Sequence, residues 1–174
     1  MESRVKILGH PVHPILIVLP LGLLIMSVVF DVLHFITGNV TFSMVAYWNI
    51  VGGVITGLFA AVFGFVDWLA IPGNTRAEAI GAFHGSGNVV VVPLFATSWW
   101  LRRNNPDYVP DTIAFILALL GLALGGLTAW LGGELVYRLG MAVDRGANLN
   151  APSSLSGKPA SVVDNSPTPA TPLK

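Results

Sequence analysis

The sequence predicts an all-α protein, a four-helix transmembrane bundle with its N- and C-termini on the same side of the membrane. Three observations lead there. Of 174 residues, 53% are hydrophobic and only 10% charged, whereas an ordinary soluble domain carries about 25% charge. The mean hydropathy of +0.72 is too high for a fold that faces water on all sides. The apolar residues also fall in four blocks, each near the roughly 20 residues that cross a hydrocarbon core about 30 Å thick. An even number of crossings returns the chain to its starting side.

The first block covers residues 14–35 and follows the phrase GHPVHPILIVLPLG. Arg4 and Lys6 ahead of it imitate a signal peptide, but the block is too long and no small-residue cleavage site follows, so it reads as a retained helix. A residue before proline is pushed out of the helical region. His10 and His13 are therefore expected in extended backbone, a stiff strap along the interface, with Pro14 opening the helix. Pro20 should kink that helix by removing a donor and crowding the carbonyl of Leu16. Gly38 and Asn39 make the first turn, and the second block, 44–71, closes on GFVDWLAIPG.

The third block, 80–101, begins with GAFHGSGN, where Asn88 lies one turn beyond His84 on the same face. Pro93 should kink it near Val89. In RRNNPDYVPD, Pro106 and Pro110 stop any helix from continuing. The fourth block, 112–135, ends in GGELVYR. Small residues at close-approach spacing, Gly53 with Gly57, Gly81 with Gly85 and Gly121 with Gly125, support bundle packing. No internal repeat is evident. Residues 146–174 are rich in Pro, Ser, Ala and Thr and hold too little apolar surface to offset the entropy of ordering. The chain thus divides into a membrane domain, 1–145, and a disordered tail, 146–174.

Charge sets the orientation. Arg4, Lys6, Arg76, Arg138 and Arg145 flank the spans on one side, and only Arg102 and Arg103 on the other. The positive-inside rule then places both termini in the cytoplasm. The net charge is zero and no basic run occurs, which speaks against nucleic acid as a partner. The absence of cysteine excludes disulfides, zinc knuckles, iron–sulfur ligation and covalent haem attachment.

Up-down connectivity gathers most of the ionisable residues at one rim: His10 and His13 before the first span, Asp67 ending the second, His84 with Asn88 opening the third, and Glu134 with Tyr137 and Arg138 closing the fourth. Asp31 and His34 fall elsewhere and read as an outer-face pair. The middle of every span is apolar, which argues against an ion path.

The stretches HPVHPILIVLPLG, GFVDWLAIPGNTRAEAIGAFHGSGN and LGGELVYRLG together resemble the bacterial integral membrane family called domain of unknown function 2231, over residues 8–143. The resemblance implies a four-span membrane protein and no established activity. Relatives fused to Rieske-type or cytochrome-c-type domains imply electron transfer near the membrane for some members. The family pattern falls on His10, Pro11, His13, Pro14, Asp67, His84, Asn88, Gly132, Gly133 and Tyr137. It departs at Leu139, where a histidine is expected after the Tyr-Arg pair.

Three readings of the rim follow. In the first, it is a hydrogen-bond and ion-pair network that locks helix ends in a structural or accessory protein. In the second, His10, His13, His84, Asn88 and Tyr137 bind haem b or a quinone in a redox module. In the third, His10, His13, Asp67, His84 and Glu134 hold a divalent metal. No hydrolytic or transferase signature is present, so no enzyme is expected. The expected setting is a bacterial inner membrane, multi-pass, with the lipid bilayer, a membrane electron-transfer partner or a second copy of the chain as partners.

Overall fold

The structure, a computed structural model, describes residues 1–163. It opens on a short antiparallel hairpin, β1 (Lys6–Ile7) with β2 (His10–Pro11), in which Lys6 pairs with Pro11 and Ile7 with His10. Leu8 (φ 50°) and Gly9 (φ 83°) form its two-residue turn, with the positive φ at both positions that a type I′ turn requires. Helix α1 (Val12–Leu16) follows at once. The expected strap is therefore corrected: His10 is extended, but His13 and Pro14 are the second and third residues of a helix. Proline is tolerated there because the first helical N–H groups have no intrahelical acceptor.

Helix α2 (Val18–Thr37) is divided from α1 at Ile17. That break sits where Pro20 has no N–H to offer the Leu16 carbonyl, as the sequence predicts. Gly38 (φ 69°) ends α2, and the Asn39 side chain accepts from Thr41 N to start α3 (Val40–Trp68). Thr75 caps α4 (Arg76–Arg102), which runs unbroken through Pro93. A 3-10 turn at Pro106–Tyr108 leads to α5 (Thr112–Gly133), capped by Asp111 and continued by a π-helical turn, Glu134–Arg138. Among the described residues, four helices are thus long and apolar enough to cross a membrane. Their outer faces carry large apolar side chains such as Phe59, Val89 and Trp130, each more than half exposed.

Of the tail expected to be disordered, residues 164–174 lie outside the described residues. From 146 to 163 it forms turns, including a 3-10 turn at Ser154–Ser156 that rests on the hairpin, with Ser154 Oγ 3.3 Å from His10 Nε2.

Packing reveals an internal repeat that inspection of the sequence misses. α2 packs chiefly on α3, and α4 chiefly on α5. Within each pair the same positions do the same work. Leu24 faces Gly53, where an added Cβ would come within 2.5 Å of it, and Phe95 faces Gly121 in the same way at 2.7 Å. Ser27 and Ser98 are both fully buried, as are Asp31 and Arg102, Ala46 and Ala114, and Ile50 and Ala118. The offset is 71 residues between α1–α2 and α4 and 68 between α3 and α5. Side chains differ at half of these pairs, which hides the repeat from the eye.

Both copies run in the same direction, from the end that holds His13 and His84 (the histidine end) to the end that holds Asp31 and Arg102 (the arginine end). Equivalent residues of two copies touch one another only on the two-fold axis that relates them. His13 meets His84 and Asp31 meets Arg102, so a pseudo-two-fold axis runs the length of the bundle. Its core, built around Val28, Ile50, Val91, Phe95 and Ala118, lies between those two contacts. Of the glycine pairs expected to pack closely, Gly53, Gly81 and Gly121 do so, whereas a Cβ added at Gly85 would meet nothing within 4 Å among the described residues.

Candidate functional site

At the histidine end, α1 aims His13 across to α3, where its Nδ1 lies 2.9 Å from the carbonyl oxygen of Ala60. Gly64, one turn further along α3, leaves room for the ring: a Cβ there would stand 2.8 Å from His13 Cε1. His84, two turns into α4, repeats the arrangement with α5. Its Nδ1 lies 2.8 Å from the carbonyl oxygen of Thr128, and a Cβ on Gly132 would stand 3.1 Å from its Cε1.

A carbonyl oxygen only accepts, so Nδ1 carries the proton in both rings. In the neutral form of each ring the lone pair is then on Nε2. The two ring centroids are 6.4 Å apart with their planes at 88°. Asn88 Nδ2 donates to the His84 carbonyl at 2.9 Å and lies 3.3 Å from His84 Nε2. The Thr128 hydroxyl donates to Asn88 Oδ1 at 3.0 Å.

The remaining rim residues have other partners. Asp67 accepts from the Ser3 hydroxyl at 2.7 Å and from the Arg4 backbone N–H at 2.8 Å, tying the N-terminal segment to the end of α3. Glu134 pairs with Arg76 at 2.6 Å, joining the π-helical turn to the start of α4. Tyr137 points outward, 88% exposed. His10 sits against the tail at Ser154. Lys6 bridges Glu2 and Asp144. Hydrogen bonds that Lys6 donates to Asp144 and then to Glu2 raise its ammonium above its ordinary 10.5, and the hydrogen bond from Lys6 holds the Glu2 carboxyl below its ordinary 4.5.

The five-residue metal set is therefore corrected. His10, His13, Asp67, His84 and Glu134 share a rim but not a centre, because the carboxylates are engaged by Ser3, Arg4 and Arg76 and His10 by the tail. Among the described residues, no group of three or more His, Cys, Asp or Glu is placed to hold a metal ion. Of the haem or quinone set, His13, His84 and Asn88 come together, while His10 and Tyr137 lie apart.

The arginine end holds what the sequence reading missed. Asp31 is not half of an outer-face pair with His34. It is fully buried and receives both Nη atoms of Arg102, at 2.8 and 3.0 Å. Arg102 Nη2 also donates to Ser98 Oγ at 2.9 Å, and that hydroxyl donates to the Ala114 carbonyl at 2.7 Å. His34 instead places Nδ1 3.1 Å from the carbonyl of Asn39. The available signal was Asp31 itself, since a carboxylate within an apolar span requires a cation from another helix. Arg102 was the nearest candidate at that depth. Thr128 and Ser3 carried no comparable mark.

A search of curated proteins and a search of solved structures each returned no match. A family model described as "Predicted membrane protein (DUF2231)" matches residues 9–145. That match begins at Gly9 in the hairpin turn and takes in β2, the helices α1 to α5 and the π-helical turn, so the chain belongs to this family of membrane proteins.

Proposed function

We propose that the chain is an accessory membrane module whose polar rim locks the helix ends, set in a bacterial inner membrane with the histidine end toward the cytoplasm. One observation carries this reading: almost every polar rim residue bonds to a different segment. Asp67 holds the N-terminal segment, His13 holds α3, His84 holds α5, and Glu134 holds α4. The buried Arg102 supports the orientation, because it lies inside the bundle and not in the flank. Among the described residues, Arg103 is then the cation left in the flank at that end, against Arg4, Lys6, Arg76, Arg138 and Arg145 in the flanks at the other.

Asp67→Asn tests the lock. It retains the shape of the side chain but weakens its acceptance from Ser3 and Arg4. Loss of such bonds costs about 1–3 kcal/mol, read as a lowered melting temperature of the detergent-purified chain. An unchanged melting temperature, with unchanged protection of the N-terminal segment in hydrogen exchange, sinks the proposal.

A further inference from the structure

We infer that His13 and His84 are the twin protein ligands of one transition-metal centre on the pseudo-two-fold axis, taken either as a bare ion or as the iron of a porphyrin. The inference stands apart from the locking role of the rim carboxylates and rests on four features of the two imidazoles.

First, the residues are equivalents in the repeat, and both copies keep histidine there although Leu24 and Phe95, Asp31 and Arg102, and Ala60 and Thr128 have diverged. Tying a helix to a neighbouring carbonyl does not need the same side chain in both copies. Asp31 and Arg102 show how an on-axis pair diverges when its role is mutual attachment. Second, each ring is oriented by its Nδ1–H on a backbone carbonyl, at 2.9 Å for His13 and 2.8 Å for His84. This is the outer-shell device that fixes the tautomer of a ligating histidine and leaves Nε2 to bind.

Third, the His13 Nε2 lone pair has no hydrogen-bond partner among the described residues, and the His84 Nε2 lone pair accepts only from Asn88 Nδ2, at 3.3 Å, a single neutral hydrogen bond that a metal ion would displace. Fourth, the ring centroids stand 6.4 Å apart. With metal–nitrogen bonds of about 2.0–2.1 Å, two imidazoles on opposite sides of one metal place their centroids roughly 6 Å apart. Neutral imidazole suits iron, copper, nickel and zinc, and axial imidazole also holds haem iron. Two protein ligands leave the remaining positions of the metal to a porphyrin, to water or to nothing. No third His, Cys, Asp or Glu is required, which agrees with the dispersal of Asp67, Glu134 and His10.

The test uses the full chain purified in detergent, with an absorption spectrum and metal analysis as isolated and again after titration with copper(I), zinc(II) and haemin. One equivalent bound per chain is expected. A Soret band identifies the porphyrin form, and metal without that band identifies the bare ion. His13→Asn and His84→Asn retain a side-chain N–H near the position of Nδ1 but remove Nε2, so each should lower affinity at least tenfold, while His10→Ala should leave it unchanged. In the wild-type chain, nitrogen hyperfine coupling or a histidine ¹⁵N shift should report two equivalent Nε2 ligands, a readout that does not depend on the variants folding. Absence of stoichiometric binding by the wild-type chain overturns the inference. So does binding that survives both asparagine substitutions.

Discussion

Asp31 and Arg102 form a bidentate pair with no solvent exposure on either side chain. Removing two charges from water is expensive, and their attraction repays that cost only when the remaining groups are also satisfied. Ser98 accepts one further bond from the guanidinium, while Arg102 Nε finds no partner among the described residues. The pair is thus well made but incomplete. Its two members respond differently to loss of one and loss of both. Arg102→Ala leaves a carboxylate buried without its cation and should destabilise the bundle by about 3–5 kcal/mol. Asp31→Leu combined with Arg102→Met removes both charges, and it should recover most of that loss. Unfolding of the two variants and the wild-type chain in mixed micelles measures the difference. Equal losses for the single and double variants would show that the cost does not come from leaving a buried charge unpaired.

Along the helices, glycine placement separates positions that interlock from positions that are merely small. Gly121 and Gly126 lie in the same helix, but a Cβ at Gly121 would come within 2.7 Å of the Phe95 ring, whereas at Gly126 it would meet nothing within 4 Å. Gly121→Ala should therefore cost about 1–3 kcal/mol by overpacking, while Gly126→Ala should be neutral or stabilise by up to about 1 kcal/mol through helix propensity. Parallel melting curves decide this, and a Gly121→Ala protein as stable as wild type would contradict the packing. The same contrast shows what was legible in the sequence. Block length and hydropathy give the four spans, and Gly38, Asn39, Pro106 and Pro110 mark the turns, because these signals act over a few neighbouring residues. The roles of Gly64 and Gly132 were not legible, since they depend on which ring arrives from another helix. His13 was misplaced into extended backbone because the proline rule weighs one local preference, while the β1–β2 turn sends the chain directly into α1. Asp31 and Arg102 were visible singly, but their meeting depends on the bundle's depth and on its symmetry.

At the scale of the whole molecule, the two-fold construction covers α1 to α5 and leaves the segments before and after it to join one another. Lys6 does so by bridging Glu2 and Asp144, and the backbone N–H of Arg145 donates to Glu2 at 3.2 Å. The side chains of Lys6, Glu2 and Asp144 are partly exposed, so the attraction is screened by salt and each pair is worth little on its own. Its pH dependence has a definite sign. The Glu2 carboxyl is held below 4.5, so its contribution is present above that pH and is lost as pH falls through the lowered value. The Lys6 ammonium is held above 10.5, so its contribution is present below that pH and is lost as pH rises through the raised value. The clasp should accordingly be firm across the neutral range and open in acid. Limited proteolysis of the segment after the π-helical turn, compared at neutral pH and near pH 3, reads this directly. Cleavage should rise in acid and with added salt, and Lys6→Ala should show the open pattern at neutral pH while the four helices keep their circular dichroism. A Lys6→Ala chain as resistant as wild type at neutral pH would mean that backbone contacts, such as the 2.7 Å bond from Ala142 N to the Met1 carbonyl, hold the two segments without the charges.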